Sequence, residues 1–467
     1  MRMRTAFAAL GGVLLLAGCK DLNVPNYNAP SVEALTASPT RASIAAAAQG
    51  MELAARRNTE SRVLFVGIFG REAYDLRPEE PRPTTERLIG PLSPASQSSN
   101  AFWPNEYQRI QAGQILLAAL DKDSDLTDQE KSAVRGFTQM VMAQSYWDVI
   151  MMHQGFGAVL DPPSDPRDSL KPISTDEAVW ARIFQLMDSS QANLQAAGSA
   201  DFPFQVTNGY ADFATPAKFV LANRALSARF HKYHGDWNQV LQDLSQSFMD
   251  TTASLDLGVY HDYSTVDGTN PYYQDRSMYV HPRFRADAQL QPGGALDQRA
   301  LDKTEVVPPF SLSGFTSTAK FTRYATLTAE LPWIRNEELI LLHAEASLAT
   351  GDRNAALADV NLIRTKSGKL APLASDPGDP GLLNEILYNK FMSLIVEGGY
   401  TYFDLRQYGL LDSLKAVIDT NANPGPEVVY DHIPFPDNEC LARSNLGTGT
   451  DQPCGTIAGT TVAVVEF

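Results

Sequence analysis

Within residues 335–370, apolar positions recur every three or four residues on both sides of a Gly-Asp break. Leu339, Leu342, Ala346 and Ala349 share one face of a first helix, and Ala356, Val360 and Ile363 share a face of a second. Gly351 is placed to end the first helix, because glycine adopts the left-handed conformation at a helix C-terminus at little cost. Asp352 is placed to accept hydrogen bonds from the free amides that open the second. The pattern predicts a helix hairpin in which neither helix buries its face alone. The motif recurs 116 residues upstream: the decapeptide from Gly235 matches the decapeptide from Gly351 at five of ten positions, namely the Gly, both Asp, the Asn and one Leu.

Such a repeat resembles a tetratricopeptide unit, interrupted by a long intervening stretch. Helical patterns also cover residues 39–58, 103–120, 127–152, 179–194, 215–233 and 382–396, with a short helix from Tyr402 to Arg406. Thr127-Asp128-Gln129-Glu130 reads as a capping box, and Ser174-Thr175-Asp176-Glu177 as a second one. Residues 71–97 are Pro-rich and loop-like, and a loop of that length is more often functional than idle. Residues 255–331 lack helical periodicity and are rich in Tyr, Pro, Gly and Asp, with short strands predicted near 277–280 and 321–324. Residues 432–436 read as extended because of Pro434 and Pro436, and residues 456–467 can add a strand. The expected fold is mainly α: tetratricopeptide-like hairpins near 103–152, 215–250 and 335–370 form a scaffold that carries loop-rich insertions and a few short strands.

The chain has 467 residues, 44% of them hydrophobic, enough for one large core over residues 40–467. Its formal charge is −16 and no basic stripe occurs, which argues against nucleic acid as a partner. Arg2 and Arg4 precede an apolar run, residues 5–16, too short to span a bilayer but suited to a signal peptide. The run ends Leu16-Ala17-Gly18-Cys19, which looks like a bacterial lipobox. Cleavage after residue 18 leaves lipidated Cys19 at the start of a Pro- and Asn-rich tether, residues 19–39. The mature charge is then −18, from 36 basic and 54 acidic residues, which disfavours highly anionic polysaccharides unless a local patch overrides it. Cys440 and Cys454 are either a disulfide closing a 15-residue loop or two free buried thiols; an exported chain favours the disulfide, worth about 3 kcal/mol in the chain-entropy account. Neither has a second Cys or a His at ligand spacing, so no metal site is implied.

Several motifs, in order along the chain, resemble the SusD/RagB family of outer-membrane nutrient-binding lipoproteins. They are the lipobox, Phe102-Trp103 leading into a helix, the helix ending Gly235-Asp236-Trp237, Arg335-Asn336-Glu337-Glu338 with Ala344-Glu345-Ala346, Asn361-Leu362-Ile363-Arg364, Glu397-Gly398 with Phe403-Asp404-Leu405-Arg406, and Ile433-Pro434-Phe435-Pro436. Two positions depart from the family pattern: Lys390 stands where a Glu-Arg pair is usual, and Gly399-Tyr400 replaces a His/Lys-Arg. The resemblance implies a surface-facing outer-membrane lipoprotein, without enzymatic activity or cofactor, that binds a glycan or oligopeptide. It also implies a partner, a SusC-like TonB-dependent transporter that receives the nutrient. The alternative is a tetratricopeptide-type scaffold lipoprotein in envelope assembly.

Sugar sites need aromatic platforms with hydrogen-bonding groups presented by loops. The loop-like segments supply Arg71, Tyr74, Asp75 and Trp103, then Tyr272, Tyr273 and Arg276, as ligand-binding candidates, with packing as the competing role for each. Asp121, Asp123 and Asp125 suggest a calcium loop, but Leu126 and Ser132 stand where an EF-hand needs Gly and Glu, and helix capping explains the run better. Glu345 is expected to pair with Arg364, and no HExxH, GxSxG or P-loop motif occurs. If Cys19 is the anchor, Cys19→Ala moves the protein from the membrane fraction to the soluble fraction; its recovery in membranes would refute lipid anchoring.

Overall fold

The computed structural model describes residues 32–56, 59, 62–163, 169–274, 277–417, 427–449 and 452–461. The leader, Cys19, Arg276 and residues 462–467 of the expected C-terminal strand lie outside the described residues. Ten helices carry the architecture: α1 (Arg41–Ala55), α2 (Pro104–Lys122), α3 (Asp128–Met152), α4 (Asp176–Ala196), α5 (Pro216–His234), α6 (Trp237–Ser245), α7 (Asn336–Thr350), α8 (Arg353–Lys366), α9 (Gly381–Leu394) and α10 (Tyr400–Gln407). Each of α2 to α8 packs on the next in chain order, α6 reaching α7 across the insertion. The fold is the mainly α scaffold that the hydrophobic spacing predicts. Among the described residues, no helix is long and apolar enough to cross a membrane.

Helix α3 is the axis of the core. Every residue from Val141 to Met152 is buried, so this helix is covered on all sides, as its mostly apolar composition requires. Thr127 caps it reciprocally with Glu130, as expected. The second predicted box is shifted by one residue: Thr175, not Ser174, accepts from the Ala178 amide, and the helix begins at Asp176. The Asp carboxylate of Asp176 instead receives the Gly155 and Gly157 amides at 2.7 and 2.6 Å, tying α4 to the end of α3.

The two copies of the repeat fold alike at their corners. Gly235 and Gly351 sit at φ 97° and 94°, the left-handed region that a side chain disfavours. Their Asp neighbours diverge. Asp352 accepts from the Ala355 amide at 3.0 Å and caps α8. Asp236 caps nothing, because His231 and His234 draw its carboxylate to themselves at 3.0 and 2.7 Å.

Buried charge joins the helices that follow. Lys232 on α5, Glu345 on α7, Lys390 on α9 and Asp404 on α10 meet in one ionic quartet. Lys390 Nζ lies 2.6 Å from Glu345 and 2.8 Å from Asp404, and the hydroxyls of Tyr408 and Tyr233 donate to the same carboxylates at 2.8 and 2.9 Å. The expected Glu345–Arg364 pair does not form. Glu345 points to the buried lysines, and Arg364 pairs with Glu385 at 2.5 Å on the opposite flank. Lys390, the departure from the family pattern, is thus the quartet's second cation. A further cluster surrounds Glu397: Arg335 reaches it at 2.9 Å and Arg323 also bonds to it, while Arg335 bonds to Glu337, which accepts from Ser393 at 2.6 Å.

Residues 255–331 are not loop alone. An antiparallel sheet runs in the order Ala73–Asp75, Met278–Val280, Phe315–Phe321, Thr304–Leu312. The strand expected near 321–324 ends at Phe321, and its partner Thr304–Leu312 is unforeseen. Pro308 and Pro309 read as breakers, yet an edge strand tolerates them. Gly258–His261 pairs with Leu331–Arg335, closing the insertion at its base. At the other end Cys440 and Cys454 form a disulfide with Cα atoms 5.7 Å apart. Thr460–Thr461 pairs with Val428–Val429. In the acidic run, Asp123 accepts the amides of Asp125 and Leu126 at 3.1 and 2.8 Å, a turn-capping role.

Burial alone would raise the carboxyl of Glu397, but Arg335 and Arg323 outweigh it and hold it at about 2, below its ordinary 4.5. A depressed folded value contributes stability above pH 4.5 and loses it as pH falls toward 2. Glu397→Gln therefore costs about 3 kcal/mol at pH 7 and little near pH 2. Thermal melts of both proteins from pH 7 to 2 check this; a constant gap would contradict it. Asp404→Asn leaves two buried lysines sharing one carboxylate and costs about 3–5 kcal/mol in urea unfolding.

Candidate functional site

The insertion folds back over the scaffold and leaves a cleft of about 500 Å³. One wall is the end of the strand Phe315–Phe321 and the turn after it, giving Lys320, Phe321, Thr322, Arg323, Tyr324 and Ala325. Glu305, paired in register with Lys320 on the edge strand, adds to that wall. The short helix Pro271–Gln274 supplies Tyr272 and Tyr273 opposite, and Val396 from the turn after α9 closes the floor.

The aromatic groups of the cleft have different jobs. The Tyr272 and Tyr324 rings lie 5.3 Å apart, with both residues 8% exposed. Their hydroxyls donate inward, Tyr272 to the Thr59 carbonyl at 2.9 Å and Tyr324 to the Val396 carbonyl at 3.0 Å. Burial pushes the Tyr324 phenol up strongly, so it stays a neutral donor. Tyr324 also adopts φ 56°, a strained turn that sets Arg323 beside it. Tyr273 and Phe321 are half-buried and offer ring surface to the cleft. Arg323 bridges two regions: its side chain is 23% exposed, yet it bonds to Glu397 in the buried cluster. The cleft is therefore coupled through one carboxylate to Arg335, which opens α7.

Of the residues expected to contact ligand, only Tyr272 and Tyr273 line this cleft. The structure corrects four others, because their polar groups are consumed inside the fold. Arg71 is 1% exposed, 2.6 Å from Glu427, and donates to the Val428 carbonyl at 2.8 Å. Tyr74 is fully buried, its ring 5.4 Å from that of Phe315. Asp75 is fully buried and accepts from Arg77 Nε at 2.9 Å. Trp103, 5% exposed, packs on Phe435 with centroids 4.6 Å apart. Arg276 lies outside the described residues. Sequence reasoning missed Glu305, Lys320, Phe321, Thr322 and Arg323; the alternation around 315–321 was the available signal, and the hairpin partner needed to place it was hidden by the proline pair.

A second groove, about 660 Å³, lies on the scaffold between the corner at Gly235–Gln239 and the end of α7 at Ala349 and Thr350. Its walls are helix-hairpin corners rather than insertion. Among the described residues, no cluster of three or more His, Cys, Asp or Glu is placed to hold a metal ion.

The model of the SusD family matches residues 239–440, which include α7 to α10 and the whole four-stranded sheet except its first strand. No curated protein matches the chain by sequence. Solved structures share the fold over most of its length. A SusD superfamily protein from Bacteroides vulgatus ATCC 8482 superposes with a TM-score of 0.66 at 14% identity, covering 86% of this chain and 97% of that one. Another, from Bacteroides thetaiotaomicron VPI-5482, gives 0.65 at 15% identity, covering 89% and 99%. A SusD-like carbohydrate binding protein from Bacteroides fragilis NCTC 9343 gives 0.61 at 12% identity, covering 89% and 94%. At these identities the structural likeness is one of fold, and over residues 239–440 the sequence itself matches the SusD family.

Proposed function

We propose that this protein is a lipid-anchored, cell-surface nutrient-binding protein of the outer membrane that captures a glycan in the Tyr273 cleft and delivers it to a SusC-like TonB-dependent transporter. The observation that carries the reading is the cleft itself: half-exposed rings of Tyr273 and Phe321 beside the polar groups of Thr322, Arg323 and Lys320, presented by an insertion on a rigid helical scaffold. Sugars stack an apolar face on such rings and direct hydroxyls to such groups. The lipobox supports anchoring, and the match of residues 239–440 to the SusD family supports the transporter as partner.

The reading is one of binding rather than catalysis. A general acid at neutral pH needs a raised carboxyl. Near the cleft, Glu397 and Glu337 are held at about 2 by their arginine partners against the pull of burial. They serve as fixed anions.

Glycan-array binding followed by calorimetry, on protein starting after Cys19, tests the site. Tyr273→Ala weakens the best ligand about tenfold or more without lowering the melting temperature; unchanged affinity would remove the cleft from consideration. Purification from native membranes brings a TonB-dependent barrel with the full-length protein, and its consistent absence would count against delivery.

A further inference from the structure

The hydrogen-bonding inventory of the cleft is lopsided. Two of its three tyrosine hydroxyls are spent on Thr59 and Val396, and the Thr322 hydroxyl donates to the Asp302 carbonyl at 2.7 Å. Among the described residues that line it there is no Asn, Gln or Asp, the types that usually hold the hydroxyls of a neutral sugar. What the wall offers instead is two cations, Lys320 and Arg323, against one carboxylate, Glu305.

The layer behind the wall is balanced. Arg323, Arg335 and Lys303 stand beside three carboxylates, Glu397, Glu337 and the exposed Asp256, which lies 3.6 Å from Arg335. Lys303 donates to the carbonyls of Met392, at 2.9 Å, and Ser393. Among the described residues that line it, the cleft therefore carries two cations against one carboxylate, inside a chain of net charge −16. Burial, followed by repulsion from Arg323, pushes the Lys303 ammonium well below its ordinary value. A guanidinium has five N–H donors in a planar fork. Arg323 can keep Glu397 on one edge and present the other to the cleft, where 23% of its side chain is exposed.

We propose that the ligand of this cleft is an acidic glycan: the carboxylate of a hexuronic acid residue is received by Arg323 and Lys320, with the sugar ring against Tyr273 and Phe321. The inference rests on the reading of the cleft as a glycan site. It reverses, at this one place, the preference set by the acidic chain as a whole, because a buried charge cluster acts over a few ångströms while distant surface charge is screened.

Calorimetry on protein starting after Cys19 tests it, with oligomers of galacturonic, glucuronic and mannuronic acid set against neutral oligomers of galactose, glucose and mannose of the same linkage. At least one acidic oligomer is expected to bind about tenfold or more tighter than its neutral counterpart, with affinity falling as salt is added. Lys320→Gln, on a half-exposed strand position, is expected to remove most of that preference. Arg323→Gln does the same, with its melting temperature measured alongside. Equal affinity for acidic and neutral oligomers, a preference untouched by both substitutions, or no binding by any acidic oligomer would overturn the proposal. If a neutral glycan binds and Tyr273→Ala abolishes it, the glycan site stands and only the acidic ligand falls. Binding indifferent to Tyr273, Lys320 and Arg323 together removes both.

Discussion

A charge removed from water must meet its opposite, and in this protein that constraint fixes where four helices can go. Lys232, Glu345, Lys390 and Asp404 come from α5, α7, α9 and α10, and each is at most 4% exposed at its side chain. Isolated, any one of them would cost several kcal/mol in desolvation. Together, with two tyrosine hydroxyls completing the carboxylates, they form a closed network that tolerates little slippage of one helix past another. Apolar packing along α3 draws the helices together, but apolar contacts are nearly indifferent to register. The quartet is not, and through α7 it sets the position of Arg335 and hence of Glu397 and Arg323.

The scaffold was legible because its signals are local. Spacings of three and four, Thr127 with Glu130, and Gly235 and Gly351 after their helices each report on the nearest turn of chain. The repeat showed that two such corners share a design. It did not show that Asp236 abandons its helix for His231 and His234, since that choice depends on side chains contributed by the previous helix. The partner of Glu345 was likewise out of reach: the lysines that hold it lie 113 residues before and 45 residues after it in sequence.

The site was half legible for a related reason. Polar and aromatic residues in an irregular segment satisfy both a packing role and a binding role, and only burial separates them. Arg71, Tyr74 and Asp75 look like a ligand cluster in sequence, yet Arg71 is paired with Glu427, and Tyr74 and Asp75 belong to the first strand of a sheet whose other members lie over 200 residues away. That sheet consumes them. Tyr273 escapes because its short helix stands at the sheet's margin, and Arg323 because it follows the last paired residue of its strand.

The hairpin whose open end lines the cleft turns, at its far end, at Ser313 and Gly314, both at positive φ, with an edge strand that pairs on one side only. No residue of that turn belongs to the ionic quartet or to the cluster around Glu397. Exchanges at Glu305 and Lys320, at the hairpin's open end, change what the cleft can hold without touching the quartet that sets the register of the helices. Ligand preference in this architecture is thus free to drift on one segment while the helical frame is held by interactions that few single substitutions survive, a division of evolutionary rates within one folded chain.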